Sequence, residues 1–395
     1  MLSTSEAWQT ILARASRLAA TRVPLAAALG RTLAAGVRAD ADSPPFDASA
    51  MDGYAVQRKD LVTPLRVIGT SQAGAAFPGT VGPGECVRIF TGAPVPTGVD
   101  RVVKQEDTLR EGDLVRMVRA DGPDHIRRRG ENRRAGDFVI PGGARLGPPE
   151  LAALANAGVH RPEVAHLPRC VHLVTGDELV APAERPVGAQ IRDSNSTLIA
   201  ALLQRHGAYL VGQIRSGDDL TAARSAIEAM PLHDVLLISG GASVGDHDIA
   251  RPLLKALGYT LHFQAVNLRP GKPLVFASRG PRLAFALPGN PVSHWVVFHL
   301  FVGPLLRYLQ TGLDETPARL LGRLASAGGL PPSDLRQTFW PCRADIVDGV
   351  HALTPLPLAS SGDSSGLVGA NALLPVPPPP GSLIAGQSVE FIPCP

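Results

Sequence analysis

The 395-residue sequence has little net charge and little cysteine. Its 38 basic and 35 acidic residues leave a formal net charge of +3, which argues against a strongly basic nucleic-acid-binding protein. The four cysteines, Cys86, Cys170, Cys342 and Cys394, are spaced too widely for paired zinc ligands or for a dense disulfide framework. We therefore expect a protein of the reducing cytoplasm, in which any basic site is local.

The sequence also lacks a long uninterrupted apolar run. The most apolar stretch, residues 291–306, contains His294, His299 and Pro304 and is shorter than the roughly 20 residues that cross a bilayer. The first twenty residues have the pattern of an amphipathic helix, without the apolar run of a signal peptide. These features predict a cytoplasmic protein without a membrane partner.

The chain does contain many turn-forming residues and enough length for several domains. Its 41 glycines and 37 prolines are about a fifth of the residues, while the apolar fraction of 45% is ordinary for a folded protein. A single hydrophobic core stops growing at roughly 250 to 300 residues. We therefore expect two to four domains with many turns.

The hydrophobic pattern changes several times along the chain. Residues 5–36 have helical spacing and predict two helices joined at Gly30, and residues 43–145 are short β-rich pieces. Helical spacing returns at 148–158. From Cys170 to about residue 310, strands alternate with helices, which is typical of a doubly wound α/β domain with a mostly parallel sheet. The remaining residues predict a small C-terminal β domain.

Four polar, glycine-rich turns follow strands of the predicted α/β domain. Ligands of open α/β sheets bind beyond the carboxyl ends of the strands, so these turns are candidate binding segments. They are Thr175–Glu178, Ser239–Asp248, Arg269–Pro273 and Pro288–Ser293.

The turn Ser239–Asp248 has the composition of a phosphate-binding loop. Its glycines allow backbone N–H groups to approach an anion, and a helix is predicted to follow. Asp246 and Asp248 suit a Mg²⁺ ion that bridges carboxylate and phosphate, or they cap the helix. Both interpretations remain open. A P-loop is excluded because no Gly-Lys-Ser/Thr follows the glycines.

Two further turns contain cationic or anion-binding groups. Arg269 and Lys272 flank a Pro-Gly pair, which indicates either an anion site or a solvated turn. Ser293 begins the long helix and either binds an oxyanion at the helix N-terminus or belongs to a rigid turn.

The arginines of residues 127–134 predict a solvated face, or a nucleotide site. His247, His294 and His299 lack metal-ligand spacing and are predicted to be structural.

Taken together, these segments resemble the molybdopterin molybdenumtransferase family of molybdenum-cofactor biosynthesis, to which the gephyrin E domain also belongs. The resemblance extends over nearly the whole chain in the family's order. It is carried by SPPFDASAMDGYAV (43–56), RIFTGAPVPTGVDRVVKQED (88–107), TGDEL (175–179), IRDSN (191–195), SGGASVGDHD (239–248), RPGKP (269–273) and LPGNPVS (287–293).

The resemblance implies a multidomain α/β plus β fold. Residues 1–42 and 145–168 would form a discontinuous helical or linker domain, and residues 43–144 a β-rich insertion domain. Residues 169–314 would form the α/β molybdopterin-binding domain, and residues 315–395 a C-terminal β-barrel domain. An elongated homodimer is also implied, with its active site between the α/β domain of one subunit and parts of the other.

The implied reaction inserts molybdenum from molybdate into adenylylated molybdopterin with Mg²⁺ and releases AMP. The implied catalytic residues are Asp52, Thr91, Glu178, Asp218, Asp248 and Lys272. Substrate binding is assigned to Ser239, Gly240, Gly241, Ser243, Gly245, Arg269, Pro288, Pro291, Ser293 and Ser361, and Mg²⁺ binding to Asp246 and Asp248. The expected partners are a molybdopterin adenylyltransferase and the maturation proteins of molybdoenzymes.

Three positions depart from the family's usual pattern. Arg269 stands where the family usually has Lys, which keeps the charge but alters the donor geometry. Gln264 replaces a frequent Lys, and Asn132 replaces an acidic residue. Two alternative functions are a receptor-binding scaffold of the gephyrin type, disfavoured because no fused partner domain is present, and a molybdopterin adenylyltransferase, disfavoured by the two extra β domains.

Overall fold

The computed structural model describes residues 1–240, 249–314, 316–332 and 334–394. The chain forms two compact units. The larger unit comprises Met1–Arg22, Gly30–Ala34 and Glu163–Pro395, and the smaller unit comprises Val23–Leu29 and Ala35–Pro162.

Helices and strands are numbered along the chain. The helices are α1 (Thr4–Leu12), α2 (Pro148–Asn156), α3 (Asn195–Arg205), α4 (Leu220–Glu228), α5 (Ala250–Ala256), α6 (Pro291–Val297) and α7 (Gly303–Thr311). The strands up to residue 165 are β1 (Ala20–Arg22), β2 (Val37–Arg38), β3 (Ala48–Ser49), β4 (Gly53–Val56), β5 (Leu65–Ser71), β6 (Glu85–Ile89), β7 (Arg101–Lys104), β8 (Thr108–Glu111), β9 (Leu114–Met117), β10 (Ile126–Arg127), β11 (Phe138–Ile140) and β12 (Glu163–Ala165). The later strands are β13 (Arg169–Thr175), β14 (Leu179–Val180), β15 (Ile191–Arg192), β16 (Tyr209–Ser216), β17 (Val235–Ser239), β18 (Thr260–Phe263), β19 (Leu268–Arg269), β20 (Val275–Arg279), β21 (Arg282–Leu287), β22 (Leu320–Leu324), β23 (Gln337–Val347), β24 (Val350–Pro355), β25 (Ala372–Val376) and β26 (Ser388–Pro393).

A six-stranded sheet in the order β16-β13-β17-β21-β20-β18 forms the centre of the larger unit. The first four strands are mutually parallel. The strand β20 pairs antiparallel with β21, and β18 pairs antiparallel with β20. The strands β13 and β17 are buried along nearly their whole length, which explains their continuous apolar sequences. The predicted α/β domain with a mostly parallel sheet is confirmed.

Helices cover both faces of this sheet. On one face, Leu237 of β17 packs in a core with Ile199 of α3 and Val296 of α6. On the other face, Ile238 packs in a second core with Leu253 of α5. Successive side chains of a strand point to opposite faces, so the neighbouring residues Leu237 and Ile238 serve different cores.

The helix after β21 is the longest in the described part of the chain. A π-helical segment, Phe298–Val302, joins α6 to α7, and the helical run Pro291–Thr311 has 21 residues. Among the described residues, it is the one helix whose length and composition would allow it to span a membrane, and 83% of its apolar window is buried inside the protein. It therefore has the burial of a core helix.

The N-terminal segment differs from the predicted pair of helices. α1 begins at a capping box in which the Ser3 hydroxyl accepts from the Glu6 amide and the Glu6 carboxylate accepts from the Ser3 amide. The predicted pair of helices joined at Gly30 is wrong: the first run is helical only as far as Leu12 and then forms β1, paired with β12, and a short 3₁₀ turn at Leu25–Ala27, and residues 31–36 are not helical. Pro24 explains the difference, since the residue before a proline disfavours the helical conformation.

The C-terminal strands close into a small barrel. The pairing runs β23-β24-β22-β26-β25, and β25 pairs again with β23. Leu324, Leu353, Leu374 and Phe391 fill its core. The short strand β19 pairs in parallel with β23 and brings Arg269 opposite Thr338. The loop after β19 therefore lies against the barrel.

The smaller unit is β-rich, as its sequence predicts. Its main sheet has the order β7-β4-β6-β5-β9-β8, around a core that includes Tyr54, Leu65 and Val115. Its helix α2 begins at Pro148, where a missing N–H costs no hydrogen bond. The exact boundaries of the four predicted domains stay a prediction.

Candidate functional site

A cavity of about 650 Å³ lies in the larger unit, between the α/β elements and the barrel. The loop after β19 and the turn before α6 form one side, and segments near residues 329–340 and 357–361 form the other. The lining residues are Arg269, Pro270, Gly271, Lys272, Pro273, Pro288, Asn290, Val292, Ser293, Gly329, Leu330, Pro331, Pro332, Arg336, Trp340, Pro357, Leu358, Ala359, Ser360 and Ser361. The cavity thus brings together two of the four predicted turns and Ser361.

Three cationic side chains line this cavity: Arg269, Lys272 and Arg336. Arg336 donates from Nε and Nη2 to the two carboxylate oxygens of Asp334 at 2.9 and 2.5 Å. Arg269 Nη1 lies 3.4 Å from Asp334 Oδ2 and donates to the Pro332 carbonyl at 2.7 Å. The hydrogen bonds from Arg336, assisted by the Arg269 charge, hold the pKa of Asp334 well below its usual range.

The backbone of the Arg269–Pro273 loop requires glycine at its centre. Gly271 has φ +118°, and a Cβ there would lie 2.8 Å from Val297 Cγ2. A side chain at this position would therefore be strained and would collide with α6. Lys272 is exposed at the next position. The glycine thus allows the loop to pass close to α6 while Lys272 lines the cavity.

The turn Pro288–Ser293 is tied to its surroundings by backbone and side-chain hydrogen bonds. Asn195 Nδ2 donates to the Gly289 carbonyl at 2.7 Å, and Asn290 Nδ2 donates to Ser361 Oγ at 2.9 Å. The Val292 amide donates to the Ser361 carbonyl at 3.1 Å. Of the predicted site residues in this turn, Pro288 and Ser293 line the cavity, whereas Pro291 is buried at the start of α6 and is absent from the lining.

The end of β17 carries Ser239, a predicted substrate-binding residue. The Ser239 side chain is fully buried, and its hydroxyl lies 2.6 Å from His172 Nε2 and 2.6 Å from His294 Nε2. The hydroxyl of Ser239 therefore faces the core, and the assignment of this residue to substrate binding stays a prediction. The strand's alternation explains the direction of the hydroxyl: Leu237, two residues earlier, belongs to the same buried face.

The turn after β17 begins next to the turn before α6. Gly240 has φ +90°, and a Cβ there would lie 2.4 Å from the Thr175 carbonyl oxygen. A Cβ on Gly289 would lie 3.9 Å from Gly240 Cα, so these two turns are in contact. Gly241, Ser243, Gly245, Asp246 and Asp248 lie outside the described residues. Within the described part, no three His, Cys, Asp or Glu side chains group as metal ligands.

Two predicted carboxylates follow neighbouring strands at the same edge of the sheet. Glu178 is exposed after β13, and Asp218 follows β16. The Asp218 amide donates to Asp177 Oδ1 at 3.2 Å, which joins the two turns. Glu178 and Asp218 therefore lie at the carboxyl ends of parallel strands, where α/β sheets bind ligands.

Asp52 and Thr91 form a pair in the smaller unit. Asp52 Oδ1 accepts from the Thr91 amide and the Thr91 hydroxyl, both at 2.7 Å. These hydrogen bonds lower the pKa of Asp52, so that its carboxylate is ionised. The pairing of two residues that are 39 positions apart follows the antiparallel strands β4 and β6.

The arginine cluster of the smaller unit is matched by carboxylates. Arg127 pairs with Glu131, Arg128 with Asp47, and Arg129 with Asp42. The arginine side chains in these pairs are exposed. Of the two interpretations of this cluster, the geometry favours a solvated, ion-paired face.

Comparison with known proteins assigns the family. The molybdopterin molybdenumtransferase of Nostoc sp. is 35% identical over 370 residues, which cover 90% of this chain and 84% of the relative. The chain belongs to the molybdopterin molybdenumtransferase family. The enzyme of the same name from Staphylococcus aureus is 29% identical over 396 residues, covering 98% of this chain and 94% of that enzyme.

Family models and a solved structure agree with this membership. The matching models are the MoeA N-terminal region (domain I and II) at residues 2–158, a probable molybdopterin binding domain at 172–308 and the MoeA C-terminal region (domain IV) at 323–394. The molybdopterin biosynthesis MoeA protein from Pyrococcus horikoshii superposes with a TM-score of 0.84 at 26% identity, covering 100% of this chain and 99% of that one.

Sequence reasoning missed one cation of this family member's cavity, Arg336. It lies just before β23, in a loop without a recognisable motif, and the pairing of β23 with β19 brings this part of the chain beside the Arg269 loop. The available local signal was the presence of an acidic residue, Asp334, two positions before Arg336, because the two side chains form a bidentate ion pair. That signal does not reveal the distant Arg269.

Proposed function

We propose that the chain transfers molybdenum from molybdate to adenylylated molybdopterin in a Mg²⁺-dependent reaction that releases AMP. The observation that carries this proposal is the convergence of Arg269, Lys272 and Arg336 on one cavity. Molybdate is a tetrahedral dianion, and N–H donors that carry positive charge form the strongest hydrogen bonds to such oxygens. The cavity volume of about 650 Å³ is typical of small-molecule sites.

The charged groups of Arg269 and Lys272 differ in how freely they can move. The Arg269 guanidinium is held by the Pro332 carbonyl and by Asp334, so its remaining N–H groups have a set direction. Lys272 provides a compact charge on a flexible stem, which follows an anion as it enters or reacts. Ser361 Oγ accepts a hydrogen from Asn290 and thereby keeps its own hydrogen to donate to an oxyanion. These groups would bind molybdate and orient it for transfer.

The pyrophosphate of the second substrate would bind at the turn after β17. Support comes from Gly240, whose positive φ begins this turn, and from its contact with Gly289 beside the cavity. Asp246 and Asp248 are the proposed Mg²⁺ ligands, with helix capping as the alternative. The ion would offset the negative charge that develops on phosphate oxygens. Asp52, Thr91, Glu178 and Asp218 complete the proposed catalytic set.

We also propose the cellular setting. Four buried cysteines without disulfides support a reducing cytoplasm. A homodimer, a molybdopterin adenylyltransferase that supplies the substrate, and molybdoenzyme maturation proteins that receive the product follow from the family resemblance.

The test is AMP release by the purified protein with adenylylated molybdopterin, molybdate and Mg²⁺. A charge-assisted hydrogen bond is worth about 1.5–3 kcal/mol, so Lys272→Ala should raise the KM for molybdate roughly 10- to 100-fold. The matched control is Lys255→Ala, an exposed lysine at the end of α5 outside the cavity lining, which should leave this KM unchanged. Equal KM values for both variants contradict the cavity assignment, and consumption of ATP instead identifies an adenylyltransferase.

A further inference from the structure

A chain of hydrogen bonds runs through the core from the sheet to the cavity wall. Gln213 Nε2 lies 2.9 Å from His172 Nδ1, and His172 Nε2 lies 2.6 Å from Ser239 Oγ. Ser239 Oγ is 2.6 Å from His294 Nε2, and His294 Nδ1 is 3.0 Å from the Asn290 carbonyl oxygen. His172, Ser239 and His294 are completely buried. The chain therefore has no contact with solvent along these three residues.

The chemistry of the two ends gives the chain one direction. Gln213 Nε2 also donates to the Ser196 carbonyl at 3.0 Å, which orients the amide as a donor toward His172 Nδ1. His172 must then carry its hydrogen on Nε2 and donate it to Ser239. At the other end, the Asn290 carbonyl only accepts, so His294 carries its hydrogen on Nδ1 and its Nε2 accepts from Ser239.

Both constraints apply to the Ser239 hydroxyl, which can donate one hydrogen. Ser239 accepts from His172 and donates to His294, so every group in the chain is satisfied when both imidazoles are neutral and have opposite tautomers. Burial favours the neutral forms, because it lowers the pKa of His172 to about 3 and that of His294 to about 4. The hydrogen-bond pattern and the burial thus require the same protonation state.

The chain ends at residues that form the cavity wall. Asn290 accepts from His294 through its carbonyl, and its side chain donates to Ser361. We propose that His172, Ser239 and His294 are positioning residues, which fix the His294 tautomer so that its Nδ1–H holds the Asn290 carbonyl and thereby aligns the cavity wall for the oxyanion. This inference rests on the proposed function in that molybdate is the ligand used to detect it.

Two amide substitutions at one site separate the two hydrogen bonds of His294. In His294→Asn, the side-chain amide lies near the place of Nδ1 and is a permanent donor to the Asn290 carbonyl, without need of tautomer selection. In His294→Gln, the longer amide reaches the place of Nε2, keeps the contact with Ser239 and loses the donor. We expect the Asn variant to retain the wild-type KM for molybdate within about threefold and the Gln variant to raise it roughly five- to tenfold.

A double-mutant cycle tests whether Ser239 acts through the tautomer. Ser239→Ala alone should raise the KM for molybdate roughly fivefold, because His294 then loses one of the two groups that select its tautomer. In the His294→Asn background, the same substitution should change KM by less than about twofold. Additive effects, or KM changes that follow melting temperature in all variants, would overturn the positioning role.

Nitrogen NMR of ¹⁵N-histidine-labelled protein supplies a readout that needs no substrate. Wild-type protein should show His172 protonated on Nε2 and His294 on Nδ1, and Ser239→Ala should produce a mixture of tautomers at His294. A charged imidazole, or one tautomer shared by both residues, overturns the inference. Wild-type protein that lacks molybdate-dependent AMP release contradicts the proposed function instead, and this is seen before any variant is compared.

Discussion

The buried histidines should make the larger unit lose stability as the pH falls from 7 to 5. An unfolded histidine titrates near pH 6.5, whereas folding lowers the pKa of His172 to about 3 and that of His294 to about 4. As the pH falls, the unfolded state therefore binds protons at these two histidines before the folded state does. The stability that the two neutral histidines contribute is complete above pH 6.5 and is lost as the pH falls toward their folded-state pKa values. At pH 5, each histidine costs about 2 kcal/mol relative to pH 7, and the pair about 4 kcal/mol.

Urea unfolding followed by tryptophan fluorescence measures this loss. All three tryptophans, Trp8, Trp295 and Trp340, belong to the larger unit. The double variant His172→Gln/His294→Asn should lose about 4 kcal/mol less unfolding free energy than the wild type between pH 7 and pH 5. Most carboxylates stay ionised over this interval in both states, so the window reports mainly on histidines.

A control variant separates proton uptake from general weakening of the core. Leu237→Ala removes apolar surface from the same buried face of β17 and should cost about 3 kcal/mol at every pH. Its pH dependence should match that of the wild type. If the double variant keeps the full wild-type pH dependence, the two histidines are not held neutral by the fold.

Two further predictions concern the cavity and the subunits. Asp334→Asn keeps the side-chain shape but removes the negative charge that offsets Arg269 and Arg336. The KM for molybdate should therefore fall a few-fold at low salt and less at high salt. A rise in this KM would show that the carboxylate is needed to place the arginines. If the active site is shared in a homodimer, Asp52→Ala and Lys272→Ala subunits, each deficient in AMP release at molybdate concentrations below the wild-type KM, should regain AMP release there when mixed and refolded together. A mixture that stays deficient would place both residues in one subunit's site.

Local patterns predicted the parts of the fold that depend on local rules. The run VLLIS and the Pro-Gly-Asn-Pro turn indicated β17 and the start of α6, because a buried strand and a proline-led helix have distinct sequence signatures. The error at residues 20–29 arose because helical spacing outweighed Pro24, although β12 was the better partner for this segment. Tertiary pairing took precedence over local propensity there.

The candidate site was predictable where sequence motifs supplied its residues. Arg269 and Lys272 share a loop, so their convergence was visible in the sequence. Arg336 was not, because the pairing of β19 with β23 lies between residues about 70 positions apart. The inward direction of Ser239 could have been predicted, since strand alternation places it on the same face as Leu237. Its glycine-rich context suggested a ligand role for this residue, which stays a prediction.

The composition of the cavity wall has a thermodynamic consequence. Among its described lining residues, six are proline: Pro270, Pro273, Pro288, Pro331, Pro332 and Pro357. A proline has a fixed φ and almost no side-chain rotamer freedom to lose. Such walls are ordered before a ligand arrives, so binding removes little conformational entropy and retains more of the free energy gained from the charged groups. If the proposed oxyanion binds here, we expect a wall of this kind to select it by size, because the wall does not adapt its shape to a larger or smaller ligand.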